Sequence, residues 1–391
     1  MAAPHPVLLS ILLRNEVTAD EWIDDEIVSS AIDHMVAPLL HEATVEHRLS
    51  GDAKAMQRLA VHRLRSESQH ARANDALDRF VDRVGSHMRV GVFKGLALAP
   101  LLYDPPALRW ATDVDVFFHS DGLGEFGPAV SRAFSDQSTS RPPDYNVPRL
   151  DLFEVERLTL AANQINQFNE TRALNDVLFD IHTDIAKFGG RALRQQDVVW
   201  TRMLRVVGGD YFVPDTELAV ILVVVHSGRD CFGDLRKCVD FLRLLDRDPD
   251  WEFIAAFIES EGWTRAFTIA LDIMCTLVGV SLPAPFALGS LDQRLGARLW
   301  PSSMHLLGEW APRPVLCTVL ISALHEEPFW PVVRALHGLL VPLYLRKEST
   351  MQSKAASRRG VLRYWVSRLD APFRRFSSYR AHKRSILKDH S

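Results

Sequence analysis

The sequence predicts an α+β chain in which a small mixed sheet is flanked by N-terminal and C-terminal helical regions. Three observations predict it. Apolar residues recur at helical spacing from about Thr18 to His87, short β-prone runs follow between Arg89 and Ile185, and helical periodicity returns beyond about Val198. The implied divisions are a helical region over 1–88, a core over 89–200, a second helical region over 201–345 and a basic amphipathic tail over 346–391. With 391 residues, 47% of them apolar and 24% charged, the chain can bury a large core.

The elements can be justified in order. Thr18 and Glu21 have capping-box spacing, and Ile23, Ile27, Ile32, Met35 and Val36 follow at helical intervals. A second helix is expected from Ala53 through Met88, because no Pro or Gly interrupts it before Gly85. Arg89–Phe93 is a short strand ending in Lys94-Gly95, and Leu96–Tyr103 then reads as one or two helical turns closed by Asp104-Pro-Pro106. Asp113–Phe118 alternates acidic and apolar residues and reads as the next strand. Gly124–Asn146 is polar and predicts a helix followed by a long loop. Leu150–Leu160 and Asp176–Ile185 are further strands, and polar Asn163–Asn169 between them reads as a turn or exposed segment. Helices over Thr216–Ser227, Leu235–Leu245, Trp251–Ser260, Thr264–Val278 and Pro314–Leu324 complete the pattern.

Charge is unevenly distributed. Residues 346–391 carry 13 Lys and Arg against 3 Asp and Glu, a net of +10, which leaves a net of −14 on the first 345 residues. That acidic body argues against a generally basic nucleic-acid binder. Cys231, Cys238, Cys275 and Cys317 form no CxxC pair, so neither a disulfide framework nor a structural zinc site is expected. Val7–Leu13 is too short and too interrupted for a signal peptide. The most apolar runs, Leu218–Val225 and Ala335–Leu345, fall well short of the ~20 residues of a membrane span. A reduced, cytoplasmic protein is expected.

The chemistry concentrates on Asp113, Asp115 and Asp180. Side chains two apart in a strand share a face, so Asp113 and Asp115 converge while Val114 and Val116 turn into a core. Adjacent carboxylates repel unless a cation lies between them, and Mg²⁺ takes such oxygen ligands together with substrate phosphates. Asp180, His182 and Asp184 alternate in the same way, opposite Phe179, Ile181 and Ile185. Asp180 is therefore the candidate third carboxylate, with Asp151 in the preceding strand as its competitor. The strand–Lys94-Gly95–helix unit adds a turn at which backbone amides can approach phosphate oxygens.

Val92–Tyr103, then Arg109, then Asp113-Val-Asp115 resemble an uncharacterised bacterial nucleotidyltransferase family of the DNA polymerase β superfamily. Its signature is an apolar strand, Lys-Gly, a short helix ending in Tyr, an Arg, and Asp-x-Asp. Asp180 and His182 are similar to that family's Asp-x-His pair, Met35–Leu40 to its N-terminal part, and Leu218–His226, Leu235-Arg236 with Asp240, and Trp251 onward to its C-terminal helices. The resemblance covers roughly Asp33 to Pro283. It implies a small mixed nucleotidyltransferase-type sheet with metal-binding carboxylates on adjacent strands. It further implies that Asp113 and Asp115 hold Mg²⁺ or Mn²⁺, and that Asp180 completes the site or activates an acceptor hydroxyl. Gly95 would line the triphosphate of an NTP, with Lys94 or Arg109 neutralising it. The superfamily's usual Gly-Gly or Gly-Ser turn is Lys94-Gly95 here.

Several residues carry more than one reading. Lys94 suits a phosphate or a neighbouring carboxylate, and Arg109 a phosphate or the bracing of the Asp113–Asp115 strand. His182 reads as a metal ligand, a phosphate donor or a buried structural residue, and His226 as a helix-packing residue. The tail, with amphipathic Val361–Leu369 and then Phe373–Phe376, reads first as a helix docking on the acidic body. Peripheral membrane contact is its second reading, and nucleic acid is the least supported partner.

The expected activity is Mg²⁺-dependent transfer of an NMP from an NTP to a hydroxyl or phosphate of a small-molecule, sugar or peptide acceptor. The alternatives are a non-catalytic nucleotide-binding scaffold of the same fold and a glycosyltransferase using Asp-x-Asp. The latter would place a longer βαβ region before the motif.

Overall fold

The computed structural model describes residues 4–14, 21–84, 88–118, 169–174, 177–182, 185, 187–188, 191–229, 232, 234–289, 292 and 324. All of them fall in one compact unit, Met1–Gly338. The expected elements at Gly124–Asn146, Leu150–Leu160 and, but for Leu324, Pro314–Leu324, together with Asp151 and the basic tail, lie outside the described residues.

The N-terminal region is helical: α1 (Asp25–Asp33), α2 (Ala37–Glu46) and α3 (Ala53–Val84). The first helix does not begin at the expected capping box. Glu21 stands ahead of Trp22–Ile23, which pair in parallel with Ser50–Gly51, and Thr18 lies outside the described residues. The cap is instead Asp24, whose carboxylate accepts from Ile27 N at 2.9 Å. Asp25 and Glu26 in the first turn suit the positive end of the helix dipole. The long helix α3 ends at Val84 and buries Ala73, Ala76, Leu77, Phe80, Val81 and Val84.

Those residues cover one face of a six-stranded sheet. Its strands are β1 (Val90–Phe93), β2 (Asp113–Phe118), β3 (Asn169–Leu174), β4 (Val177–His182), β5 (Met203–Arg205) and β6 (Tyr211–Pro214). Their order across the sheet is β3-β4-β2-β1-β6-β5. Two neighbouring pairs, β2 with β4 and β1 with β6, are parallel, and the other three are antiparallel. This is the small mixed sheet between helices that the sequence predicts.

Strand alternation divides the interior in two. Val90, Val92, Val114, Val116, Phe118, Phe179 and Ile181 pack with α3 in one cluster, where Phe80 and Phe179 stack with ring centroids 5.0 Å apart. Phe93 and Phe117 point the other way, into a core shared with the C-terminal helices. Ile185, expected on the Phe179 face, belongs to this second core because β4 ends at His182.

Two parts of the sheet were not expected. The chain was predicted to be helical beyond Val198, yet after α5 (Gln196–Thr201) it forms the β5–β6 hairpin, with Val213 opposite Leu204. Strands of three and four residues are too short to show a period of two, and their signal is the Gly208-Gly209 turn, with Gly208 at φ 81°. Edge strand β3 begins Asn-Glu-Thr-Arg and offers almost no apolar signal.

The C-terminal helices follow the predicted segments closely: α6 (Thr216–Arg229), α7 (Leu235–Leu245), α8 (Trp251–Glu261) and α9 (Thr264–Val278). Leu218 through Val225 are all buried, which accounts for an unbroken apolar run too short to span a membrane. Asp250 caps α8 through Phe253 N at 3.0 Å, and left-handed Gly262 ends it. Among the described residues, no helix is long and apolar enough to cross a membrane.

Gly91 sits beneath the Phe117 ring, where an added Cβ would lie 2.6 Å from Cδ1 and closer still to Cε1. Phe117 cannot move aside, since it is itself packed between Phe93 and Trp200. Gly91→Ala should therefore destabilise the protein by about 1–3 kcal/mol, measured by denaturant unfolding. Adding Phe117→Leu should recover part of that loss.

Candidate functional site

The parallel register of β2 and β4 sets Asp115 directly opposite Asp180, with Phe93 of β1 on the other side of Asp115. Alternation then places Asp113, Asp115, Asp180 and His182 on one face of the sheet. One ligand atom each from Asp115, Asp180 and His182 lie within 4.8 Å of one another. The expected trio was Asp113, Asp115 and Asp180, and the tight group takes His182 in place of Asp113. Asp113 faces the same cluster, and its carboxylate accepts from the Thr112 hydroxyl at 3.2 Å.

The negative charge of the cluster is partly offset within it. Asp115 is buried, and one of its oxygens, Oδ1, meets both the Lys94 ammonium and His182 Nε2, the latter at 2.9 Å. Burial alone would raise the Asp115 carboxyl. The Lys94 charge, the His182 hydrogen bond and the His182 charge outweigh burial and hold it well below the usual carboxylate range. Asp113 goes the other way: burial, and then the negative charges of Asp115 and Asp180, push it up. Burial also lowers His182, against the pull of Asp115. Two carboxylates two strand positions apart are thus driven in opposite directions.

Aromatic rings build the wall behind these groups. Phe93 meets His182 edge-on at 4.9 Å and Phe117 at 5.7 Å, and Phe117 packs on Trp200 at 4.8 Å. His226, expected to be a packing residue, is buried with its ring 6.3 Å from that of Phe93. A dry wall strengthens the electrostatic interactions beside it.

The second feature is the turn between β1 and α4 (Gly95–Leu102). Lys94 adopts φ 57° and ψ −127°, a sparsely populated positive-φ conformation that costs a side-chain-bearing residue about 1–3 kcal/mol. It turns the chain so that α4 begins beside Asp115. The first hydrogen bond closing this helix runs from Leu98 N to the Lys94 carbonyl at 2.8 Å. The amides of Gly95, Leu96 and Ala97 therefore precede the intrahelical ladder and form an N-terminal cradle of the kind that suits an anion. A Cβ on Gly95 would come within 3.1 Å of both Ala111 Cβ and Arg109 Nη1, so a larger residue would crowd the turn.

Arg109 proves to be part of a buried network that sequence reasoning did not resolve. Asp240 on α7 accepts from Arg109 Nε at 2.9 Å, Arg109 Nη2 at 2.7 Å and the Tyr103 hydroxyl at 2.7 Å. Asp240 is fully buried and Arg109 nearly so. A partial signal was present: Asp240 stands between apolar Val239 and Phe241, and a carboxylate buried in such a helix requires a cation as partner. Nothing local said which cation.

A family model described as an uncharacterised nucleotidyltransferase matches residues 20–279. Comparison with curated proteins and with solved structures gives no match. The Asp115–Asp180–His182 cluster could hold a metal ion, since two carboxylates and an imidazole suit a divalent cation.

If it does, Asp180→Asn and His182→Ala should each weaken Mn²⁺ binding by at least about tenfold, read by the free-Mn²⁺ signal in electron paramagnetic resonance. The pH dependence has a defined sign. Binding needs neutral imidazole, and burial moves His182 below its ordinary value, so the neutral form persists to lower pH. Affinity should hold from pH 8 past pH 6.5 and decline only below that.

Proposed function

Because the chain belongs to the uncharacterised nucleotidyltransferase family, we propose that it transfers a nucleoside monophosphate from an NTP to an acceptor and releases pyrophosphate. The acceptor group would be a hydroxyl or phosphate of a small molecule, sugar or peptide. One observation carries the reading: buried Asp115 and half-buried Asp180 meet in register on one sheet face, with Lys94, which opens α4, paired to Asp115. That juxtaposes a cation site with an anion site, as a metal-bound triphosphate requires.

Asp115, Asp180 and His182, with Asp113 at their edge, would hold Mg²⁺ or Mn²⁺. Bound there, the ion supplies positive charge to the phosphoryl oxygens as the α-phosphate changes partners. The imidazole makes Mn²⁺ a better fit here than in a site built from oxygens alone. Lys94 would bridge the two halves, neutralising phosphate charge while its carbonyl starts α4. The amides of Gly95, Leu96 and Ala97 would line the phosphates, and Arg109 would add positive charge behind them. Asp113, whose carboxyl is pushed up from its ordinary value by burial and by Asp115 and Asp180, would accept the proton of an acceptor hydroxyl. Catalysis would consist of positioning and electrostatics.

The test is pyrophosphate release from each NTP with Mg²⁺ or Mn²⁺ and a panel of acceptors, with mass spectrometry of the acceptor products. Asp115→Asn and Asp113→Ala should each lower turnover by at least about 100-fold, with circular dichroism unchanged. Full turnover in both variants would remove these carboxylates from the reaction. Nucleotide binding with no pyrophosphate from any acceptor would favour the scaffold alternative.

A further inference from the structure

Four residues along α7 and just past it, Arg236, Asp240, Arg243 and Arg247, are spaced four, three and four apart and so form one stripe. Each of them reaches α4 or the segment that follows it. Arg243 Nη1 donates to the Leu102 carbonyl at 2.9 Å and its guanidinium lies 4.3 Å over the Tyr103 ring, while Arg247 donates to the Leu101 carbonyl. Arg236 Nη1 donates to the Trp110 carbonyl at 2.7 Å. Leu101 and Leu102 carry two of the last carbonyls of α4, which a helix leaves without internal partners, and cations there complement its dipole.

Asp240 stands at the centre of the stripe. It holds Arg109 by two nitrogens and Tyr103 by its hydroxyl, whereas Arg109 Nη1 is buried and has no hydrogen-bond partner among the described residues. That free donor group lies 3.1 Å from where a Gly95 side chain would begin, immediately behind the first turn of α4. Burying an ion pair for stability alone is poor economy, since apolar residues of similar volume often serve as well or better. The pair does what apolar residues cannot: it fixes the position of a charge and, through Tyr103, the far end of the helix.

We propose that Asp240 is a positioning residue for nucleotide binding. Resting on the nucleotidyl-transfer reading, this assigns to α7 the task of setting α4, so that the amides at Gly95–Ala97 and the charge of Arg109 bear on the phosphates of the donor. Asp240 touches neither metal nor substrate. Its contribution falls on NTP affinity and leaves the cation cluster of Asp115, Asp180 and His182 intact.

The test uses the full chain carrying Tyr103→Phe, Arg109→Met and Asp240→Leu together, which removes both charges and the hydroxyl at once and leaves no buried polar orphan. Unfolding midpoint, Mn²⁺ affinity by electron paramagnetic resonance and NTP affinity by calorimetry are measured on it and on the wild type. The expected result is a folded protein with unchanged Mn²⁺ affinity. Its NTP affinity should be weaker by about tenfold or more, the size of one misdirected charge-assisted hydrogen bond, and KM should rise more than kcat falls. Asp240→Asn, which keeps the side-chain volume, should show a smaller loss of the same kind and serves where the triple variant does not fold. Wild-type NTP affinity in a folded variant overturns the positioning role and leaves the transfer reading standing. Absence of NTP binding by the wild type overturns that reading and this inference with it.

Discussion

The parallel pairing of β2 with β4 is the constraint on which the rest of the structure depends. It sets Asp115 against Asp180 at the same level of a sheet whose opposite face is filled by Val114, Val116, Phe179 and Ile181. A slip of one residue would exchange those sets, sending carboxylates into the α3 core and valines to the site. The apolar face thus fixes the register, and the register fixes the carboxylates. Their mutual repulsion is tolerated because Lys94 and His182 converge on one oxygen of Asp115. Each of these groups comes from a strand or strand end of the same sheet, so they cannot drift apart independently.

The two cores have separate tasks. The smaller one, between α3 and the sheet, sets register. The larger one, built with α6 to α9, places α4 relative to that sheet. Where it meets α4 it carries a buried polar cluster: Asp240, Arg109 and Tyr103 at the interior, with Arg236 and Arg243 around them. The residues matched by the family model include α7, which carries Asp240 and none of the metal-cluster residues.

Much of the architecture was legible in the sequence because burial imposes a period. β2 and the helices α7 and α9 were read to the residue, and Asp115 with Asp180 followed from alternation within each strand. What the sequence could not show was register between strands, which decides that His182 joins the tight cluster and Asp113 stands at its edge. The β5–β6 hairpin escaped notice because seven residues cannot establish a period, and β3 because an edge strand needs no apolar alternation. Asp240 stands in sequence between two apolar residues, but its partner Arg109 lies 131 positions earlier, and only the fold brings the two together.

The overall charge of the chain bears on how such a site would attract its donor. An NTP is strongly anionic, and the first 345 residues carry a net charge of −14, so the average field of this part opposes binding. At physiological salt, however, exposed charges are screened within about 8 Å, whereas buried ones are screened far less. The charges that count are therefore those held close and away from water: Lys94 at the carboxylates, the amide end of α4, and Arg109 behind the turn. Asp240 offsets the cost of burying the Arg109 charge and lies on the side of the guanidinium away from Nη1, which has no hydrogen-bond partner among the described residues. The pair is thus an oriented dipole whose positive end faces Gly95. Local orientation of a few buried charges can outweigh the sign of the whole surface.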